Sequence, residues 1–555
     1  MKLRTDVSPE KLRGGYYTPP GLVTFCWNRV LRLTNDRRLN VLEPSAGDGG
    51  FFTHASPEVL GRIAHVRAIE VDPSEAAKCQ AELERLAITH DVRDLSFIEW
   101  ALDDSSEAFD AAIGNPPFVR YQFISPTDSS RFEALGAKLG IHIDGVSNLW
   151  MPILLGAISK VRLGGAASFV VPAEIFTGMS AGAVRRWILQ NTTEITIDLF
   201  LPGSFPDVLQ EIVVITARRC EVDSGDRRVT LVQHGALDEQ SWSHVVSASN
   251  VSWTKLLLTP SQSGAFEEVS ALPMFRPLAK VARMQVAVVT GANDFFCVDS
   301  ETLRAYGLER WALPLLPRVR HVSGLIWRKR EQAALEDRTR TWLLHFSKDE
   351  PSPLKLKRPT EYLELGMELG IPERYKCRIR NPWFRVPDVW PGSLLLSKRS
   401  HWHPRLVLNQ AKSLTTDTIY RGAMTADYRG RERDLVAGFH NTITLLSSEL
   451  EGRSFGGGVH ELVPSEIGRL LVPMIPGLGK HLADLDSLAR RSASTGDQEE
   501  LICATDSSLL ASNTGLGRAV LDSLAAARES LLMRRLARSA PPDAGDVEPR
   551  ELIAV

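Results

Sequence analysis

The stretch that most constrains this chain runs from Leu39 to Phe52. Leu39-Asn40-Val41-Leu42 reads as a short buried strand. It feeds straight into Glu43-Pro44-Ser45-Ala46-Gly47-Asp48-Gly49-Gly50-Phe51-Phe52, a glycine turn before a helix. Glycines let the backbone turn sharply and approach a ligand closely, so a strand–turn–helix of this kind opens a Rossmann-like α/β sheet with its ligand above the turn. A phosphate-cradling loop would need Gly-Lys-Ser/Thr, which is absent. A dinucleotide fingerprint would need a third spaced glycine, but Gly47-x-Gly49 is followed by Gly50 and two aromatics.

The reading left for the turn is a loop whose glycines admit the amino-acid end of S-adenosylmethionine, with Glu43 just before it. The next segments support it. Val66-Arg67-Ala68-Ile69 reads as a second strand ending in Glu70-Val71-Asp72-Pro73. A carboxylate there, about 20 residues past the glycines, is placed to accept from ribose hydroxyls. Asp72, ahead of Pro73, caps the helix expected over 74–87. Leu95-Ser96-Phe97-Ile98 reads as a third strand ending in Glu99-Trp100. That pair either receives and walls an adenine ring or is a surface acid beside a core aromatic.

Phe109–Gly114 reads as a fourth strand, and it ends in Asn115-Pro116-Pro117-Phe118. The strand end sets side by side a side-chain amide, carbonyls without ladder partners because proline has no N–H, and a flat ring. The Asn115 oxygen and the Pro116 carbonyl suit the two hydrogens of an exocyclic amino group, and Phe118 suits the face of its ring. Further strands are expected at 167–171, 195–200 and 211–215, with 228–232 as the last edge, and a helix over 149–161. Alternation of this kind gives a sheet with helices on both faces. In the turn Pro202–Pro206, Phe205 either reaches a substrate base or tucks onto the sheet.

A chain of 555 residues divides into domains. The expected division is 1–260 for the cofactor-binding sheet, 261–480 for a second domain, 481–540 for a helical segment and 541–555 for a disordered tail. Net charge is −2, but residues 271–440 hold about 29 Lys and Arg against about 18 Asp and Glu, a net of about +11 that leaves the remainder near −13. The basic residues are interleaved with aromatics, as in Arg374–Arg385 and Lys398–His403, which points to phosphate contact. Arg378, Arg380, Lys398 and Arg399 are the candidate contacts. Six scattered cysteines without Cys-x-x-Cys spacing point to free thiols in a reducing compartment and to no metal. The start has no apolar core of a signal peptide, and no apolar run approaches a membrane span, so a cytoplasmic protein is expected.

Taken in order, the loop, the two acids and Asn-Pro-Pro-Phe resemble the TaqI-like, gamma-class DNA adenine methyltransferases of restriction–modification systems. The resemblance covers 14–218 well and extends to 374–383 and 454–465, which look like pieces of that family's target-recognition domain. It implies a class I S-adenosylmethionine-dependent methyltransferase domain, then a mixed α+β recognition domain and a helical C-terminal segment. By position it places Thr18, Glu43, Ser45, Gly47, Glu70, Val71, Glu99, Trp100, Asn115 and Pro117 around the cofactor. Asn115, Pro116 and Phe118 fall at the catalytic centre, with Phe205 near the flipped base. Two departures stand out. The family commonly has Asp-Phe where this chain has Glu99-Trp100, and often Tyr where it has Phe118. Implied partners are double-stranded DNA and a separately encoded restriction endonuclease. With motifs beginning at residue 14, no N-terminal nuclease is expected. Asn-Pro-Pro-aromatic also serves enzymes that methylate RNA bases or a protein glutamine amide, and these are the rival reading.

Overall fold

A computed structural model describes residues 17–35, 38–103, 108–119, 123–141, 148–177, 181–201, 211–235, 239–247, 252–336, 338–347, 350–494, 498–507 and 515–537. The chain forms two compact units that divide between Pro260 and Ser261. Among the described residues no helix is long and apolar enough to cross a membrane.

The first unit is built on a nine-stranded mixed sheet. Its elements in chain order are α1 (Pro20–Leu33), β1 (Leu39–Glu43), α2 (Gly50–Thr53), β2 (Ile63–Ile69), α3 (Pro73–Arg85), β3 (His90–Arg93), α4 (Phe97–Leu102), β4 (Phe109–Gly114), α5 (Trp150–Ser159), β5 (Val161–Pro172), α6 (Ala181–Asn191), β6 (Thr192–Phe200), β7 (Ile212–Arg219), β8 (Arg227–His234) and β9 (Glu239–Val246). The strands lie in the order β3-β2-β1-β4-β5-β7-β6-β8-β9. β1 pairs in parallel with β2 on one side and with β4 on the other. The chain therefore winds outward from β1 to β3 and returns to β4. That reversal opens a crevice at the carboxyl ends of β1 and β4, where open α/β sheets bind ligands.

Successive strand residues face opposite sides. Val41, Val66, Ala111 and Ile113 pack under α1, α2 and α3. Leu42, Ile69 and Ala112 pack under α4, α5 and α6. Both faces are buried, which explains why these strands read as continuous apolar runs.

Two expectations are corrected here. The third strand is His90–Arg93, and Phe97–Leu102 is a helix. Phe97, Ile98 and Ala101 are spaced as one helical face and are buried together, so a short apolar run was open to either period. Residues 228–232 are not the edge either, because β9 pairs antiparallel outside β8. Its Glu-Gln-Ser-Trp-Ser-His sequence is too polar to announce a strand.

The second unit is mixed α+β. A five-stranded sheet runs, in spatial order, Ala282–Gln285, Ile419–Met424, Leu394–Ser397, Leu406–Asn409 and Ile326–Trp327. A four-stranded and a three-stranded sheet accompany it, the latter from Arg399–Ser400, Val459–Glu461 and Arg453–Phe455. The helices used below are α7 (Lys357–Glu368), α8 (Tyr375–Arg378), α9 (Thr442–Glu451) and α10 (Arg518–Leu536). α10 packs along α9, so the C-terminal helical segment belongs to this unit.

Candidate active site

β1 delivers Glu43 to the crevice and β4 delivers Asn115 beside it. The two strand ends touch: a Cβ on Gly114 would lie 3.3 Å from the Pro44 ring. The Ser45 hydroxyl donates to the Asn115 carbonyl at 3.4 Å. The Asn115 side chain is half-buried, and its amide nitrogen donates to the Thr18 hydroxyl at 3.1 Å. Committing the nitrogen to Thr18 leaves the amide oxygen as the acceptor. Pro116 is buried, and Phe118 rests on the margins of both core clusters while keeping part of its surface open.

The glycine turn is shaped as its sequence requires. Gly49 has φ +86°, and a Cβ there would meet Cys79 of α3 at 3.3 Å. A side chain would be strained and crowded at once. Gly47 (φ +53°) has open space where its Cβ would be. The Glu70 carboxylate spans this turn and its own, accepting from the Gly47 and Asp72 N–H groups, each at 2.9 Å. Asp72 caps α3 through Ser74 and Glu75, as the sequence indicates. Next to Glu70, Val71 is 64% exposed.

Glu43 is the unusual member. It is 1% exposed, and its Oε2 has no hydrogen-bond partner. Burial pushes its carboxyl well above the usual carboxylate range, and the neighbouring Glu70 and Asp48 push it further. Burying such a group without a partner is costly unless a ligand completes it.

The sheet does not bring Glu99 and Trp100 to this edge. Glu99 sits on α4 and pairs with Arg131 at 2.6 Å. Trp100 is buried between Phe97 and Phe109, with Lys160 over its ring at 5.2 Å. The pair is a surface acid beside a core aromatic. At the carboxyl end of β3 stands instead Asp94, exposed and without a partner among the described residues. Its signal in the sequence was its place just past the strand, hidden by the misplaced strand boundary. Phe205 lies outside the described residues.

Among the basic candidates, Arg378 is exposed and meets no carboxylate among the described residues. Arg380 donates to the Thr290 and Val289 carbonyls at 2.6 and 2.8 Å. Lys398 and Arg399 both face Glu461. Much of the basic excess thus closes internal contacts.

Two family profiles match the sequence. The Eco57I restriction-modification methylase profile matches residues 70–204, and that of the C-terminal domain of Type II methyltransferase M.Eco57I matches 250–510. This chain belongs to the restriction–modification methyltransferase family. Relatives within it are distant in sequence but alike in extent. Type II methyltransferase M.XamI of Xanthomonas campestris pv. amaranthicola is 23% identical over 490 residues, 84% of this chain and 86% of that protein. Type II methyltransferase M.AccI of Acinetobacter calcoaceticus is 20% identical over 478 residues, covering 81% and 84%. The fold is shared with the Type IIL restriction-modification enzyme MmeI, solved in complex with DNA, at TM-score 0.53 and 12% identity over 96% of this chain and 79% of that one.

The residues at this crevice fit S-adenosylmethionine, the cofactor expected from the sequence. The unpartnered Glu43 oxygen stands where Glu70 and Asp48 leave an excess of negative charge, suited to a cationic ligand. Gly47 leaves room for close approach, Glu70 suits a diol, and the exposed Val71 suits a ring face.

Proposed function

We propose that this chain is a site-specific DNA methyltransferase acting on the exocyclic N6 of an adenine turned out of the duplex. Its biological role is to mark host DNA against a separately encoded restriction endonuclease in the cytoplasm. The observation that carries this reading is the Asn115 amide at the crevice, its nitrogen held by Thr18 and its oxygen left to accept.

S-adenosylmethionine supplies a methyl group already activated on a sulfonium. The difficulty lies with the acceptor, since an adenine amino nitrogen delocalises its lone pair into the ring. The Asn115 oxygen and the Pro116 carbonyl accept its two hydrogens and draw them out of plane, which restores and orients the lone pair. This is preorganisation rather than proton abstraction, because the nitrogen becomes acidic only after transfer. Everting the base costs on the order of a few kcal/mol. Stacking on Phe118 returns about 1–3 kcal/mol of it. Glu70 and Val71 hold the cofactor's nucleoside. Asp94, at the end of β3, replaces Glu99 as the acid nearest its adenine.

Asn115→Ala tests this. Methyl transfer to duplex DNA falls by on the order of 10²-fold or more while calorimetry still shows cofactor binding. Sequencing of modified bases in DNA from cells expressing the wild-type chain yields N6-methyladenine at one sequence. Label transferred only to RNA or protein, or undiminished transfer in the variant, overturns the proposal.

A further inference from the structure

Residues 374–380 hold four cations and no acid, Arg374-Tyr375-Lys376-Cys377-Arg378-Ile379-Arg380, and the structure sorts them into two kinds. The outer pair is tied down. Arg374 makes two parallel hydrogen bonds to Asp294 at 2.7 and 2.9 Å. Arg380 grips the Val289 and Thr290 carbonyls. Between them Cys377 is fully buried and its thiol faces the Thr290 carbonyl. The seat beneath is close-fitting: a Cβ on Gly291 (φ +82°) would come within 2.7 Å of Lys376 Cβ and 3.3 Å of Cys377 Sγ. α8 is thus anchored at both ends and from below.

What this mounting holds up is the reverse of a core. Tyr375 is 65% and Ile379 64% exposed. Lys376 reaches over the Tyr375 ring at 5.5 Å, and Arg378 stays exposed. Two large apolar side chains offered to water on a rigid turn, each beside a cation, are matched by a surface with negative charge outside and apolar or stackable edges within. Duplex DNA has that layout, with phosphates flanking sugars and base edges.

We propose that the turn Tyr375–Ile379 is a duplex-DNA contact, Tyr375 and Ile379 entering a groove while Lys376 and Arg378 meet the phosphates on either side. The proposal rests on the reading of the chain as a DNA methyltransferase. It divides the labour within one short sequence, with Arg374 and Arg380 as the mount and Tyr375, Lys376, Arg378 and Ile379 as the contact.

The test uses the full chain, a labelled duplex carrying the sequence found methylated in expressing cells, and a scrambled duplex. Lys376→Ala/Arg378→Ala weakens binding to both and lowers the slope of log affinity against log salt by about 2, near 0.9 per lost phosphate contact. Tyr375→Ala/Ile379→Ala weakens binding on the order of tenfold and leaves that slope unchanged. All four side chains are exposed, and a denaturant-unfolding curve that matches the wild type verifies that each variant is folded. If the wild type methylates and binds the duplex and both variants match it, this proposal falls and the methyltransferase reading stands. If the wild type neither binds nor methylates duplex DNA, both fall.

Discussion

The two units bury charge in opposite ways. In the first, Glu43 lies inside the protein with an unpartnered oxygen, and the charges acting on it are two more carboxylates. In the second, Glu449 is just as deeply placed, yet Arg535 meets both of its oxygens at 2.7 and 2.9 Å. The same guanidinium also donates to the carbonyls of His401, Trp402 and Gly458. Burial alone would raise the Glu449 carboxyl, but His460 and Arg535 hold it below the ordinary range. A buried charge with every neighbour supplied by the chain is architecture. A buried carboxyl left short at the ends of β1 and β4, where the strands run parallel, leaves that oxygen open to a ligand.

The largest effect that would break this contrast is at the satisfied end. Arg535→Ala leaves Glu449 buried and alone, and denaturant unfolding should show a loss of about 3–5 kcal/mol. A near-neutral result would mean that the pair is dispensable. Acid gives the next test. Burial pushes His403 and His440 down to about 3, so both are neutral in the folded second unit. Their contribution is whole above the unfolded value of about 6.5 and is lost as pH falls from there through the folded value. Glu43 runs the other way. Its raised folded value gives stability that is present below the ordinary value of about 4.3 and lost as pH rises through the folded one. Melting each unit against pH should therefore give slopes of opposite sign. Glu43→Gln should flatten the first unit's slope and weaken cofactor binding at the same time. A variant that flattens the slope but binds cofactor normally would detach Glu43 from the ligand.

The smallest effect probes orientation. Thr18→Val removes the acceptor that holds the Asn115 amide, and methyl transfer should fall roughly tenfold while unfolding shifts by no more than about 1 kcal/mol. If Thr18→Val transfers methyl as fast as wild type, Asn115 is aimed by something else.

Sequence made the first unit's crevice legible because its signals are local. A glycine turn, an acid at a strand tip and Asn-Pro-Pro-Phe each dictate backbone shape within a few residues. Glu70, Ser45, Thr18 and Asn115 do converge. Where local signals are ambiguous, the reading slipped. Phe97-Ile98 belongs to a helix, and with it Trp100 moved from ligand wall to core. In the second unit the limit was different in kind. Charge counting identified a basic region but could not see that Arg399 would find Glu461, 62 residues on, or that Arg380 would reach back 90 residues to Thr290. Pairing across such separations is set by tertiary structure, and no run of like charges announces it.

The lacing by Arg535 also has a consequence in time. Its carboxylate partner is made 86 residues earlier, and the loops whose carbonyls it gathers 77 to 134 residues earlier. While the chain is still being synthesised, Glu449 lacks its Arg535 partner, and the segments at His401–Trp402 and Gly458 have only the neighbouring pairing of Ser400 with His460 to join them. Arg535 can complete this cluster only once α10 has left the ribosome, so the strands of the first unit are made well before the second unit's buried ion pair can form.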